Sequence, residues 1–372
     1  MSTPLAELTT LRVGGVPREL VEARSREELV SAAERYGDEL FVLGGGSNVL
    51  ASDDPYEGIV LLVASRGIAA EELGERVVVR VQAGEPWDAF VQHAVDNGWA
   101  GLEALSGIPG TVGAAPIQNI GAYGAEVAEV LRAVEFFDFE TGQALWLAAA
   151  DLDLGYRSSV FKAKPGHSQA ERRGLVLQVE FELERSALSA PVRYAQLATA
   201  LGVAEGERLP LRQVRESVLA LRAAKGMVLN EADPDSRSAG SFFINPIVSE
   251  AFARQLPAEA PRWSVEPDEP ALVIPLVELA ARAELLDQAP PATERHVKLS
   301  AAWLIENAGI KRGFALPGSR AAVSSKHTLA LTNRGGATAA QLAELARYIQ
   351  NRVLAEFGVT LSPEPVLLGV EL

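Results

Sequence analysis

The 372-residue chain contains no cysteine. Disulfides, thiolate metal sites, thiol nucleophiles and cysteine-held iron–sulfur clusters are excluded together. Histidine is scarce as well. His93, His167, His296 and His327 lie far apart and none belongs to an H-E-x-x-H pattern, so no metal site is expected. No uninterrupted apolar run reaches the length that spans a bilayer. The opening residues, Met1 to Glu7, carry neither a basic segment nor an apolar one, so a cytoplasmic protein without membrane association is expected. Positive charge is in deficit: 34 Lys and Arg against 49 Asp and Glu leave a net charge of −15, which argues against a nucleic-acid binder. An anionic small ligand remains possible, because local cations and backbone N–H groups can hold one. No coiled-coil heptads are present, and a monomer is expected. What is there is an ordinary globular composition, 48% hydrophobic and 22% charged, with length for two to three domains.

The elements read as α+β. Ser25 and Glu28 form a capping box ahead of apolar Leu29, Ala32, Ala33 and Tyr36. Short strands follow at Leu40 to Leu43 and Ile59 to Ala64. Val77, Val79 and Val81 alternate as a strand, and Pro86 fits the first position of a helix carrying Trp87, Phe90, Val91, Ala94 and Val95. Ala133 to Phe139 and Ala144 to Ala148 read as a hairpin, and Leu175 to Leu183 as a further strand. A helix face of Val214, Val218 and Leu221 ends at Lys225-Gly226. Beyond Gly240 comes a proline-rich stretch (Pro257, Pro261, Pro267, Pro270, Pro275), a short helix from Glu278 to Leu286, and Pro290-Pro291. Ser300 caps a helix through Asn307, and Thr328 to Thr332 reads as a strand. An amphipathic helix reaches Phe357, and a last strand carries Ser362-Pro363-Glu364.

Two glycine-rich loops stand out. Gly44-Gly45-Gly46-Ser47-Asn48 follows a strand, where successive N–H groups can form an anion nest. It fits neither the Rossmann fingerprint, because residue 49 is Val, nor the Walker pattern, because no Lys follows. Alone it is a phosphate loop of another fold or a tight turn. The second, Gly101 to Gly124, is poor in charge and has no period; a loop of that length in a compact domain is usually functional. Such a pair can wrap a large flat cofactor such as a flavin dinucleotide; the alternative is an irregular surface loop.

Six stretches settle the comparison: LGGGSNVL (43–50), GIPGTVGAAPIQNIGAYG (107–124), GYRSSVFK (155–162), AGSFFINP (239–246), SAAWLIENAG (300–309) and KHTLALTN (326–333). In this order, and spread over nearly the whole chain, they resemble the UDP-N-acetylenolpyruvoylglucosamine reductase family, in its longer form with a loop tyrosine, here Tyr194. The resemblance implies a two-subdomain FAD-binding fold of the vanillyl-alcohol-oxidase type, with a smaller α+β substrate-binding domain. The expected division is residues 1–65 with the terminal strand 365–372, residues 66–227, and residues 228–364. It also implies non-covalent FAD, NADPH as reductant alternating with substrate at one site, and a UDP-sugar substrate whose enolpyruvyl group is reduced to give UDP-N-acetylmuramate for peptidoglycan.

The positions it places on FAD are Gly44, Gly45, Gly46, Ser47 and Asn48 in the first loop. In the second they are Ser106, Gly107, Ile108, Gly110, Thr111, Gly113, Ala114, Gly121, Ala122 and Tyr123. Arg157 corresponds to the arginine beside the substrate carboxylate, Ser241 to the proton donor, and Glu364 to the glutamate that stabilises the enol. An ionised Glu364 would oppose that role, so a raised pKa or a close pairing with Arg157 is expected. Tyr194, Lys225, Asn245 and Lys298 correspond to positions that hold the UDP-sugar. Two departures are visible. Residues 249–298 are longer than in compact members, and the Glu-Pro-Glu common before the last strand is Ser362-Pro363-Glu364 here. The rival readings are a flavin oxidase of the same superfamily and a non-catalytic flavin or nucleotide-sugar binding module. The first often links flavin through His or Cys, and no His falls in either glycine loop.

Overall fold

The structure, a computed structural model, describes residues 3–163, 169–265 and 295–372. His167, Pro267, Pro270, Pro275, the expected helix from Glu278 to Leu286 and Pro290-Pro291 lie outside the described residues.

The N-terminal part is a parallel three-stranded sheet. Tyr56–Val63 runs between Pro17–Ala23 and Leu40–Leu43, and the helix Arg26–Tyr36 links the two outer strands. That helix buries Leu29, Ala32 and Ala33. Ser25 accepts from the N–H of Glu28 at 3.2 Å, but the Glu28 carboxylate turns to the N–H of Arg24 and not back to Ser25, so the expected capping box is half formed. Beside it lies a six-stranded antiparallel sheet, ordered Gln143–Ala148, Leu131–Asp138, Gly174–Arg185, Arg76–Gln82, Ile68–Leu73, with Trp99–Ala100 on the end of the long strand. Val77, Val79, Val81, Leu177, Val179 and Phe181 share one buried core with Trp87, Phe90 and Val91 of the helix Trp87–Asp96. Pro86 is the residue before that helix, not its first position; its ψ of 128° is extended.

A second large core holds most of the C-terminal part of the chain. Phe242, Phe243, Leu299, Leu304 and Ile305 pack with Leu342, Leu345, Ala346, Ile349 and Val353 of the long helix Ala339–Phe357. Leu11, Val13 and Leu50 from the N-terminal part belong to this core too. The strand Val366–Leu368 returns to pair in parallel with Val49–Ala51. Ser362-Pro363-Glu364 precede that strand instead of forming it. Pro363 and Pro365 lack N–H groups and cannot complete a ladder, so the segment makes one isolated bridge, Phe243 to Pro363. The expected strand from Thr328 shortens to Leu331–Asn333, paired with Ala321–Val323. Several strands were not expected from the sequence, Pro17–Ala23, Ile68–Leu73, Val49–Ala51 and Ala321–Val323 among them.

Candidate active site

The strand Leu40–Leu43 delivers Gly44 to Asn48 directly against the second glycine loop. A Cβ on Gly45 would sit 2.7 Å from the Cα of Gly110, and one on Gly46 only 1.9 Å from the carbonyl oxygen of Leu8. Gly44 faces Thr111 Oγ1 at 2.6 Å in the same sense. Bare backbone is what lets the loops meet. Ser47 Oγ donates to the Pro109 carbonyl at 3.1 Å. Among the described residues, no acceptor takes the N–H groups of Gly44 to Asn48, nor those of Ile108, Gly110 and Thr111. This row of unspent donors forms a nest for an anion.

The second loop is pinned at its start. Gly107 donates its N–H to Asp88 Oδ1 at 2.6 Å, and Asp88 pairs with Arg215 through both oxygens at 2.6 and 2.9 Å. Further on, Trp87 donates to the Gly110 carbonyl and Gly113 to the Ala83 carbonyl, where a Cβ on Gly113 would meet Ala83 Cβ at 2.5 Å. Ser106 is buried and turned away, its hydroxyl spent on the Glu103 carbonyl, so only its backbone borders the loop. Ala114 lies exposed at the rim. Gly121–Ala122 pairs with Ala125–Glu126 and presents Tyr123 between them.

Arg222, on the helix Leu211–Ala224, went unnoticed in the sequence. It is buried, Nη2 donates to the Met227 carbonyl at 3.0 Å, and Nε has no partner among the described residues. That Nε lies 3.4 Å from where a Cβ on Gly107 would be. An unspent cationic N–H beside a nest of backbone donors, with no side chain between, fits a flavin dinucleotide with its diphosphate.

At the mouth of this cradle the charged residues converge. Asn48 joins the two halves: its carbonyl accepts from Val366 at 2.9 Å and its side chain donates to the Glu364 carbonyl at 3.3 Å. Arg157 Nε lies 3.4 Å from Glu364 Oε1, and its Nη2 donates to the Gly121 carbonyl at 3.1 Å. Burial pushes the Glu364 carboxyl above the usual carboxylate range, against the opposing pull of Arg157, Lys162 and Gln118. Lys162, held by Gln118 Oε1 at 2.8 Å, is depressed by its own burial. Ser241 lies on the neighbouring segment: the next residue, Phe242, accepts the Glu364 N–H on its carbonyl at 2.9 Å. Arg157, Ser241 and Glu364, far apart in sequence, therefore come from three segments that meet here.

The four positions expected to hold a UDP-sugar form two groups on either side. Tyr194 meets Tyr123 edge-on at 5.7 Å, and Lys225 Nζ lies 5.6 Å from the Tyr123 ring centre. Burial and then Arg222 hold the Lys225 ammonium below its ordinary range. Asn245 donates to the Tyr156 hydroxyl at 3.4 Å, and Lys298 Nζ sits 4.3 Å over the Tyr156 ring. Tyr156, Gln118 and Lys162 all fall inside stretches quoted above, but no spacing rule distinguishes them from their neighbours. Among the described residues no cluster of three His, Asp or Glu could hold a metal, and no helix is long and apolar enough to cross a membrane.

A bare-backbone nest beside a sheet, with Arg157 and Lys162 from one part of the chain meeting Glu364 from the other at its mouth, fits an FAD-binding oxidoreductase. Residues 17–148 match the FAD binding domain family, and residues 233–368 match the C-terminal domain of UDP-N-acetylenolpyruvoylglucosamine reductase. The reductase of that name from Leifsonia xyli is 55% identical, the alignment covering 99% of this chain and 98% of that protein. The one from Thermobifida fusca is 45% identical over 100% of this chain and 98% of its own length. The crystal structure of UDP-N-acetylenolpyruvylglucosamine reductase from Thermus caldophilus superposes with a TM-score of 0.60 at 26% identity, covering 98% of this chain and 97% of that one. The chain belongs to the UDP-N-acetylenolpyruvoylglucosamine reductase family, with FAD as its cofactor.

Proposed function

We propose that this chain reduces the enolpyruvyl group of UDP-N-acetylglucosamine enolpyruvate to give UDP-N-acetylmuramate, with NADPH as reductant, as a cytoplasmic monomer. The three-part division set out from the sequence belongs to this reading, with residues 228–364 receiving the substrate. The observation that carries it is the meeting of Arg157, Glu364 and the Ser241 segment at the mouth of the glycine cradle. FAD held in the glycine cradle would supply the hydride chemistry between NADPH and the vinyl carbon of the substrate. Gly44 to Asn48, the loop from Gly107 to Tyr123 and Arg222 hold that cofactor. Arg157 then faces the substrate carboxylate, into which negative charge spreads, and its planar fork stabilises the charge. Glu364, whose burial favours the protonated carboxyl, hydrogen-bonds to the enol in that form without adding a second negative charge. Ser241 delivers the proton that completes the product; a hydroxyl is a weak acid, but the enol carbanion is a strong base. Tyr194, Lys225, Asn245 and Lys298 grip the UDP-sugar, the lysines as point charges on its phosphates.

The test separates the half-reactions. Ser241→Ala should keep rapid flavin reduction by NADPH and lose at least a hundredfold in flavin reoxidation by substrate. Reoxidation at the wild-type rate would remove Ser241 from the role of donor.

A further inference from the structure

Gln118 carries no role in the reading above, yet three groups of the site fasten on its side chain. Lys162 Nζ donates to Oε1 at 2.8 Å and Asn48 Nδ2 donates to the same oxygen at 3.1 Å. A lysine ammonium has no acceptor, so the atom it faces must be the amide oxygen. Nε2 then points the other way, 3.2 Å from Glu364 Oε1. Turning the amide over would set N–H against the ammonium and oxygen against the carboxyl. Asn48 is fixed in the same manner, since its Nδ2 also donates to the Glu364 carbonyl at 3.3 Å.

We propose that Gln118 is a positioning residue for Glu364: its amide, oriented by Lys162 and Asn48, holds Oε1 as an acceptor and leaves Oε2 as the oxygen that carries the proton. Arg157 Nε approaches the same Oε1, at 3.4 Å. An oxygen that accepts the Gln118 N–H and stands nearest the Arg157 guanidinium serves as the carbonyl oxygen of a neutral carboxyl, and its hydroxyl is then the other one. The neutral acid presents a single donor of defined direction, as hydrogen-bonding to an enol requires. The groups facing Glu364 are Arg157, Lys162 and Gln118, with Tyr156 close enough to feel its charge. Gln118, Arg157 and Lys162 all favour the ionised form and temper the upward effect of burial. The inference rests on the role proposed for Glu364.

The experiment pairs a direct titration with kinetics, on the FAD-loaded protein. Glutamate labelled with ¹³C at Cδ is followed by NMR against pH, with Glu364 assigned by its absence in Glu364→Gln. In parallel, the reoxidation half-reaction with UDP-N-acetylglucosamine enolpyruvate is measured against pH. Gln118→Leu should move the Glu364 titration upward, move the alkaline limb of reoxidation upward with it, and slow reoxidation about tenfold, as loss of one orienting hydrogen bond does. Lys162→Met, which removes one anchor of the amide and a charge that lowers Glu364, should move both in the same direction, and Lys162→Arg should restore them. A slow Gln118→Leu whose titration and alkaline limb stay in place would overturn the positioning role, as would Lys162→Met matching wild type in both. If Gln118→Leu does not fold, Gln118→Met, of similar length and without the amide, takes its place. Should Glu364→Gln reoxidise at the wild-type rate, the role of Glu364 itself falls, and the two failures are distinguishable.

Discussion

Arg157 sits at φ 56°, in the left-handed region that a residue with a Cβ rarely adopts. Asn119 at 41° and Tyr123 at 51° share that conformation, and Arg157 reaches both neighbourhoods through the Gly121 carbonyl. Such backbone costs about 1 kcal/mol or more per residue and persists where surrounding structure holds it. Arg157→Gly should therefore keep or slightly raise stability in urea while lowering kcat/KM by at least a hundredfold. His327 gives a second prediction. Burial, then the charges of Lys225, Arg222 and Arg312, lower its pKa to about 4, below the ordinary 6.5. The unfolded chain takes up a proton that the native state refuses between those values, so stability present above pH 6.5 is lost as pH falls toward 4. The loss is on the order of 3 kcal/mol by pH 4. His327→Gln, followed by urea unfolding from pH 7 to 4, should flatten that decline. Neither residue announces this in the sequence. Arg157 and Glu364 were found there only through the family resemblance, because a lone arginine or glutamate in a loop has no period or spacing to mark it. Gln118, Tyr156 and Arg222 were missed for the same reason, and Arg222 looks like any cation on an amphipathic helix.

The elements with a clear apolar period were legible, capped helices among them. Ser300 accepts from the N–H of Trp303 and Ala301–Asn307 follows as read; Thr338 and Gln341 form a complete capping box for Ala339–Phe357, which ends at Gly358 with φ 67°. Asp53 adds a carboxylate at that helix start, accepting from Ala339 at 2.5 Å and from Gly14 at 3.2 Å. Thr338→Ala should cost about 1 kcal/mol, read as a lower urea midpoint with unchanged slope. Ile68–Leu73 was illegible because Ala69, Ala70, Glu71 and Glu72 are poor strand formers and exposed. Pairing with Arg76–Gln82 around Gly74 makes it a strand, an override of local preference by its partner. Pro17–Ala23 buries only its two end residues and shows no alternation to read. The second glycine loop has no period because its order comes from outside it, through Asp88, Ala83 and Ser159, whose hydroxyl donates to the Ile117 carbonyl at 2.6 Å.

Across the whole molecule, the chain ends and the glycine cradle are tied to one another. Asn333 is buried and donates to the Leu11 carbonyl at 3.0 Å, while Val366 donates to Asn48 and so hangs the Glu364 segment from the first glycine loop. Loading the cradle should therefore be felt by the entire fold. Removing FAD should lower the midpoint of thermal unfolding, and restoring it at a hundred times its Kd should return about 2.7 kcal/mol, measured by calorimetry on apo and reloaded protein. The most direct measurement of the proposed activity is anaerobic stopped flow on the FAD-loaded protein. The flavin is reduced with NADPH, mixed with UDP-N-acetylglucosamine enolpyruvate, and its absorbance followed. Rapid return of the oxidised spectrum, with one UDP-N-acetylmuramate formed per flavin, is the expected result. A flavin that NADPH reduces but this substrate leaves reduced would contradict it.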